Sequence, residues 1–302
     1  MISAGPDSAF APLLADPRTA LRPPDPDMPL ATYRRRLDLP MAAVRGPDVH
    51  SVETIAPGEG GTGAALRVYR PTPDAAGTIL FLHGGGFVIG SLETHDAMCR
   101  TLAMSSGLQV VAVDYRLAPE APFPAARDDV RAGLRWVAAR ADGGPIALCG
   151  DSAGAHLAVR LAIDAADMGV RIAALGLLYP VADPACVGES WDRFGTGHVL
   201  TRDWMRWAWA AYRGDADPGA PNFTLRHADL SRLPPTRMIL AECDPLVDEG
   251  QALVAAIVAA GGAVEATIAA GMIHGFASLP MLTPAANRAL ADLSQHFRQH
   301  MC

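Results

Sequence analysis

Pro145-Ile146-Ala147-Leu148-Cys149-Gly150-Asp151-Ser152-Ala153-Gly154 is the stretch that decides the fold. Its first half is a short apolar run of the length of a buried strand. The run that follows, Ala155 to Met168, keeps Leu157, Leu161 and Ala165 on one helical face. Ser152 therefore sits on a strand-to-helix turn. Such a turn forces its central residue into strained backbone angles and crowds the neighbours, so the flanks must be small, as Gly150, Ala153 and Gly154 are. It also presents Oγ at the start of a helix, where free N–H groups and the helix dipole favour negative charge. Ser152 reads as a nucleophile.

Outward from that turn, strand-like and helix-like stretches alternate. Thr78 to Leu82, Leu108 to Val113, Pro145 to Cys149, Ala173 to Tyr179, Thr236 to Glu242 and Ala263 to Ala269 are continuous apolar runs of the kind buried in parallel sheets. Helical patterns at Leu92 to Met104, Pro124 to Ala141, Ala153 to Met168, Val247 to Ala260 and Pro284 to Gln299 separate or follow them. Ser51 to Ala56 and Ala64 to Arg70, joined by the glycine-rich turn Pro57 to Gly63, read as a hairpin. The expected architecture is α/β: a mostly parallel sheet of eight strands with helices on both faces. The first 50 residues, with eight prolines before Pro47 and one helical stretch at Leu30 to Leu37, read as an irregular arm. The gap from Val181 to Pro235 is too long for an ordinary connection, and Thr201 to Tyr212, with Thr201 as N-cap, is its expected helix. The expected organisation is an arm at 1–50, a catalytic domain at 51–185 and 223–302, and a cap insertion at 186–222.

The totals exclude several classes of function. A net charge of -7, with no basic run longer than Arg34-Arg35-Arg36, argues against a nucleic-acid surface, and the triplet reads as a solvated helix face. Prolines at 6, 12 and 17 interrupt the N-terminal apolar residues, which speaks against a signal peptide or a stable membrane association. The cysteines at 99, 149, 186, 243 and 302 are odd in number and lack a C-x-x-C pair, the usage of a reducing cytoplasm. All 25 basic residues are arginines, which removes Schiff-base chemistry, a pyridoxal anchor and the P-loop lysine. No metal or organic cofactor is expected; the expected partner is a small molecule, and a homodimer is left open.

In such sheets the site forms from loops beyond the carboxyl ends of the strands. His83-Gly84-Gly85-Gly86-Phe87 follows one strand, and three consecutive glycines let the backbone aim N–H groups at one point, as an oxyanion hole requires. Asp244 follows the next-to-last strand and His274 the last, completing the order serine, acid, histidine. Asp248 and Glu249 compete for the acid role, but they open a helix whose N–H groups they are placed to cap, which favours Asp244. His156, four residues past Ser152, reads as a packed helix residue; His83 reads as an organiser of its loop, and Asp151 and Asp114 as local hydrogen-bond acceptors.

With these motifs in place, the chain resembles the hormone-sensitive lipase family of α/β-hydrolases, in its microbial esterase branch. The resemblance rests on His83 to Phe87, Asp114-Tyr115-Arg116-Leu117-Ala118-Pro119-Glu120, Phe123-Pro124-Ala125, Gly150 to Gly154, Asp244-Pro245-Leu246 with Asp248-Glu249-Gly250, and Gly271 to Phe276. It implies a triad of Ser152, Asp244 and His274, oxyanion donors at the N–H groups of Gly84, Gly85 and Ala153, and a small helical cap built from the arm and part of the insertion. His156 departs from the asparagine usual in that family, and Ala269-Ala270 from a bulkier pair. The implied activity is hydrolysis of short-to-medium acyl esters. The alternatives are an amidase or deacetylase, including an aryl formamide hydrolase, with the same serine chemistry, and a non-enzymatic small-molecule receptor. Phe87, Trp204, Trp207 and Phe276 are candidates for the substrate pocket, while Trp191, Phe194, Trp209 and Tyr212 crowd the same insertion region and serve equally as pocket lining or as the cap's own core.

Overall fold

The computed structural model describes residues 5–61, 63–141, 143–217, 220 and 222–301. Cys302 lies outside these residues, as do the parts of the expected arm, of the Pro57 to Gly63 turn and of the insertion at 1–4, 62, 218, 219 and 221. The strands are β1 (Ser51–Ile55), β2 (Ala65–Arg70), β3 (Thr78–Leu82), β4 (Gln109–Asp114), β5 (Ile146–Asp151), β6 (Ile172–Leu178), β7 (Thr236–Cys243) and β8 (Val264–Ile273). The helices are α1 (Ala11–Ala15), α2 (Leu30–Ala42), α3 (Asp96–Ser106), α4 (Ala125–Ala138), α5 (Ala153–Asp167), α6 (Glu189–Phe194), α7 (Arg202–Arg213), α8 (Val247–Ala259) and α9 (Pro284–Met301). One eight-stranded sheet has the order β1-β2-β4-β3-β5-β6-β7-β8. Strands β3 to β8 run parallel, and β2 is antiparallel to both of its neighbours.

The continuous apolar runs of β3 to β7 have the cause expected of them, because these strands lose both faces to the core; the run Ala263 to Ala269 does not, because β8 is an edge strand and most of that run is exposed. Leu80, Leu82, Val111, Val113, Leu148 and Leu177 point into one layer, packed with Val130 and Leu134 of α4, Leu157 and Leu161 of α5 and Leu253 of α8. Ile79, Phe81, Val110, Ala147 and Cys149 alternate into the other, against Leu102 of α3 and Leu293 and Phe297 of α9. The α9 seat is tight: a Cβ on Gly176 of β6 would lie 2.5 Å from Phe297 Cζ.

Differences from the sequence reading are local. Helix α3 starts at Asp96 instead of Leu92, because Ser91 and Thr94 bond each other reciprocally, Ser91 N–H to Thr94 Oγ1 at 2.8 Å and Thr94 Oγ1 to the Ser91 carbonyl at 2.9 Å. Short hydroxyl side chains thereby take backbone groups a helix would use. Helix α2 runs past Leu37 to Ala42, with Pro40 in its last turn. Arg35 and Arg36 remain on a solvated face, but Arg34 turns inward and donates Nε to the Val88 carbonyl at 2.7 Å. Strand β8 continues to Ile273, one residue short of His274. Among the described residues no helix is long and apolar enough to cross a membrane.

Phe297→Ala is expected to destabilise the protein by about 3–5 kcal/mol, the usual range for a buried phenylalanine, read as a lower urea midpoint; a loss below about 1 kcal/mol would contradict this account of the α9 seat.

Candidate active site

The turn between β5 and α5 holds Ser152 at φ 50°, ψ −118°, outside the regions ordinary side chains favour. The surrounding glycines are required by contact. A Cβ on Gly150 would lie 2.5 Å from the Gly154 backbone, and one on Gly154 would lie 2.0 Å from the Leu82 carbonyl oxygen. The strained turn is fastened to β6, since Ser152 N–H donates to the Leu178 carbonyl at 2.9 Å. Ala153 is the first residue of α5, so its N–H has by position no acceptor within the helix.

The loops after β7 and β8 bring two partners to this serine. His274 Nε2 lies 3.0 Å from Ser152 Oγ, and His274 Nδ1 lies 2.7 Å from Asp244 Oδ2. Asp244 is 1% exposed, and its other oxygen accepts the Leu246 N–H at 2.9 Å. With the carboxylate as acceptor, Nδ1 carries the proton and Nε2 is free to accept one from the hydroxyl. The Tyr179 ring packs edge-on against His274 at 4.9 Å, a support that no sequence motif announced.

Asp248 and Glu249 do not join this line. They lie in the first turn of α8, but instead of capping their own helix they reach to the insertion and to the chain leading into it. Asp248 Oδ2 accepts the Ser190 N–H at 2.8 Å; Glu249 accepts the Ala182 N–H at 2.7 Å and the Trp191 indole N–H at 3.3 Å. Burial pushes the Glu249 carboxyl up to about 8 against the pull of those donors.

The glycine loop corrects one expected role. Gly84 N–H donates to Asp151 Oδ1 at 2.7 Å and so is already committed. Among the described residues neither Gly85 nor Gly86 has an acceptor for its N–H. Asp151 also faces His95 Nε2 at 3.3 Å. Burial works against its charge, but His95 and the Gly84 N–H together hold its carboxyl below the usual range. His83 stacks on Tyr115 at 4.2 Å and donates Nδ1–H to the Gly84 carbonyl at 2.8 Å. Burial, with the charge of His95 added, depresses it to about 3, so it is a neutral loop organiser.

His156 behaves likewise. Its Nδ1 donates to the Val181 carbonyl at 3.1 Å, and burial lowers its pKa to about 3. Its ring stands edge-on to Phe87 and Trp209, 5.6 and 5.4 Å away, while Phe87 stacks on Tyr212 at 3.9 Å. Trp191, Trp204, Trp209 and Tyr212 are buried in the same layer as the sheet residues Leu80 and Leu148, so these aromatics are a packed core that joins the insertion to the sheet. Of the four pocket candidates, Phe87 and Phe276 are fully buried, Trp207 is half-buried, and Trp204 lies over the glycine loop, its Cη2 2.5 Å from where a Cβ of Gly86 would be.

Comparison with known proteins agrees with this fold. A family model described as alpha/beta hydrolase fold matches residues 79–278. The chain is 35% identical over 286 residues to an ethyl acetate hydrolase of Pseudomonas putida, a match covering 89% of each chain. It superposes on a hyperthermophilic esterase from the archaeon Pyrobaculum calidifontis with a TM-score of 0.85 at 36% identity, covering 98% of both chains. It also superposes on an esterase from the bacterial hormone-sensitive lipase family with a TM-score of 0.87 at 29% identity, covering 98% of this chain and 99% of the other.

The two buried imidazoles predict a pH dependence of stability. His83 and His156 are held near 3 in the folded protein, against the ordinary imidazole value of 6.5, so the unfolded chain binds more protons between those values. Stability should be full above about 6.5 and fall as the pH drops towards 3. His156→Asn removes one of the two groups, and its urea midpoint should drop less than that of the wild type between pH 7 and pH 5; parallel drops would contradict the buried neutral state.

Proposed function

The chain belongs to the alpha/beta hydrolase fold family, in its hormone-sensitive-lipase-like branch, and on that premise we propose that it is a serine carboxylesterase that hydrolyses short-to-medium acyl esters through an acyl-enzyme on Ser152. The observation that carries this reading is the unbroken line from Ser152 Oγ through His274 to Asp244, at 3.0 and 2.7 Å, beside the N–H groups of Gly85 and Gly86, which have no acceptor among the described residues. The similarity to an ethyl acetate hydrolase supports the short-acyl end of the range.

Ser152 Oγ attacks the ester carbonyl while His274 Nε2 takes its proton, and Asp244 holds the imidazole in the required tautomer and stabilises its cation. The tetrahedral oxyanion rests on the N–H groups of Gly85 and Ala153, with Gly86 in the place that Gly84 gives up to Asp151. His274 returns its proton to the departing alcohol, then activates a water that releases the acid from Ser152. The arm at 1–50 and the insertion at 186–222 act as one cap over the catalytic domain of 51–185 and 223–302. Hydrogen bonds between arm and insertion support this division, Leu21 N–H to the Val199 carbonyl at 2.8 Å and the Thr201 hydroxyl to the Leu21 carbonyl at 2.5 Å.

Hydrolysis of p-nitrophenyl acetate and butyrate, set beside matched amides, tests the reading directly. Ser152→Ala should lower ester turnover by roughly 10⁶-fold; turnover near wild type would end the assignment. Asp244→Asn should cost roughly 10⁴-fold in kcat. Asp248→Asn, which loosens only the Ser190 contact, should act mainly on thermal stability. Equal losses of kcat in the two variants would show that the acid role is not confined to Asp244.

A further inference from the structure

Helix α2 of the N-terminal arm grips the glycine loop from outside the sheet. Arg34 donates Nε to the Val88 carbonyl at 2.7 Å and Nη2 to the Ala118 carbonyl at 2.8 Å, and its guanidinium lies bidentate on Glu120 at 2.8 and 2.7 Å. One helical turn further, Asp38 Oδ1 accepts the Gly90 N–H at 3.3 Å. The helix thus takes a carbonyl and an N–H from the segment that directly follows the three glycines. The Arg34 side chain is 19% exposed against 56% for Glu120, so the ion pair is the outer end of the contact and the two main-chain carbonyls are its inner end.

There is little slack between that segment and the glycines. The Gly85 carbonyl accepts the N–H groups of Val88 at 3.0 Å and Ile89 at 2.9 Å. A Cβ on Gly85 would lie 2.1 Å from the Ile89 carbonyl oxygen, and one on Gly90 would lie 2.4 Å from that of Gly84. Residues 84–86 and 88–90 therefore move as one packed piece. A second path runs through the insertion: Tyr33, beside Arg34, accepts the Trp204 indole N–H at 2.6 Å, and Trp204 closes over Gly86.

We infer that Arg34 and Asp38 are positioning residues for the oxyanion-binding loop, fixing the N–H groups of Gly85 and Gly86 relative to Ser152 from a helix that supplies no reacting group. The inference rests on the esterase reading. Donors fixed in advance act on charge that exists only in the transition state, so the effect belongs in kcat and not in ground-state ester binding. The planar fork of arginine reaches two carbonyls and a carboxylate at once, which a single ammonium does not.

The test uses the full chain, p-nitrophenyl butyrate as substrate and a trifluoromethyl ketone that adds to the serine to form a tetrahedral oxyanion. Arg34→Gln and Asp38→Ala should each lower kcat by about 10-fold with little change in KM, and weaken ketone affinity by a similar factor. Asp38→Asn, which keeps an oxygen for the Gly90 N–H, should recover most of the loss, and Arg35→Gln, on the exposed face of the same helix, should track the wild type. Wild-type protein without butyrate hydrolysis would remove the esterase reading and this inference with it. With an active wild type, variants that change KM alone, or that keep wild-type ketone affinity, would overturn the positioning role and leave the esterase reading standing. If Arg34→Gln does not fold, the Asp38 pair decides: equal kcat for Ala and Asn would overturn it.

Discussion

The start of α5 passes so close to the end of β3 that only glycine fits between them. A side chain on Gly154 would strike the Leu82 carbonyl oxygen at 2.0 Å. That contact sets the turn at Ser152 and at the same time fixes where β3 releases the glycine loop, so nucleophile and loop are placed by one backbone crossing. The bond from Gly84 N–H to Asp151 locks the two together from the side. Asp151 is thereby a structural brace immediately beside the nucleophile, and its buried charge is held by the donors that it organises.

The histidines around the turn divide by their surroundings. His83 and His156 are enclosed, and burial favours the neutral ring against the pull of the backbone carbonyls they face, which suits them to holding loops. His274 differs in what it meets: a carboxylate on one nitrogen and a hydroxyl on the other. Residue type is the same in all three cases, and hydrogen-bond partners assign the work.

Arm and insertion are bound to the sheet by a continuous aromatic layer and by polar contacts at its edges. Trp204, Trp209 and Tyr212 share a core with the strands, and Asp248 and Glu249 hold the insertion at Ser190 and Trp191 and the chain leading into it at Ala182. Motion of this layer relative to the sheet would have to break buried aromatic packing as well as these hydrogen bonds. The acids next to Asp244 in sequence are thus used for cohesion.

The sequence by itself determined the strands, the order of the elements, the turn at Ser152, and the loops that carry Asp244 and His274. These follow from local rules: apolar runs, buried on both faces in β3 to β7, and small residues where a backbone must bend sharply. The inward turn of Arg34 out of an arginine triplet, the capture of Gly84 N–H by Asp151, the Tyr179 ring beneath His274 and the reach of Glu249 to Trp191 were decided only by tertiary structure. In most of these pairs the partners are tens of residues apart, and side-chain periodicity carries no information about which polar group meets which across that distance. Close approach of distant segments makes each pairing, because a buried donor or acceptor must be satisfied by whatever the fold brings beside it.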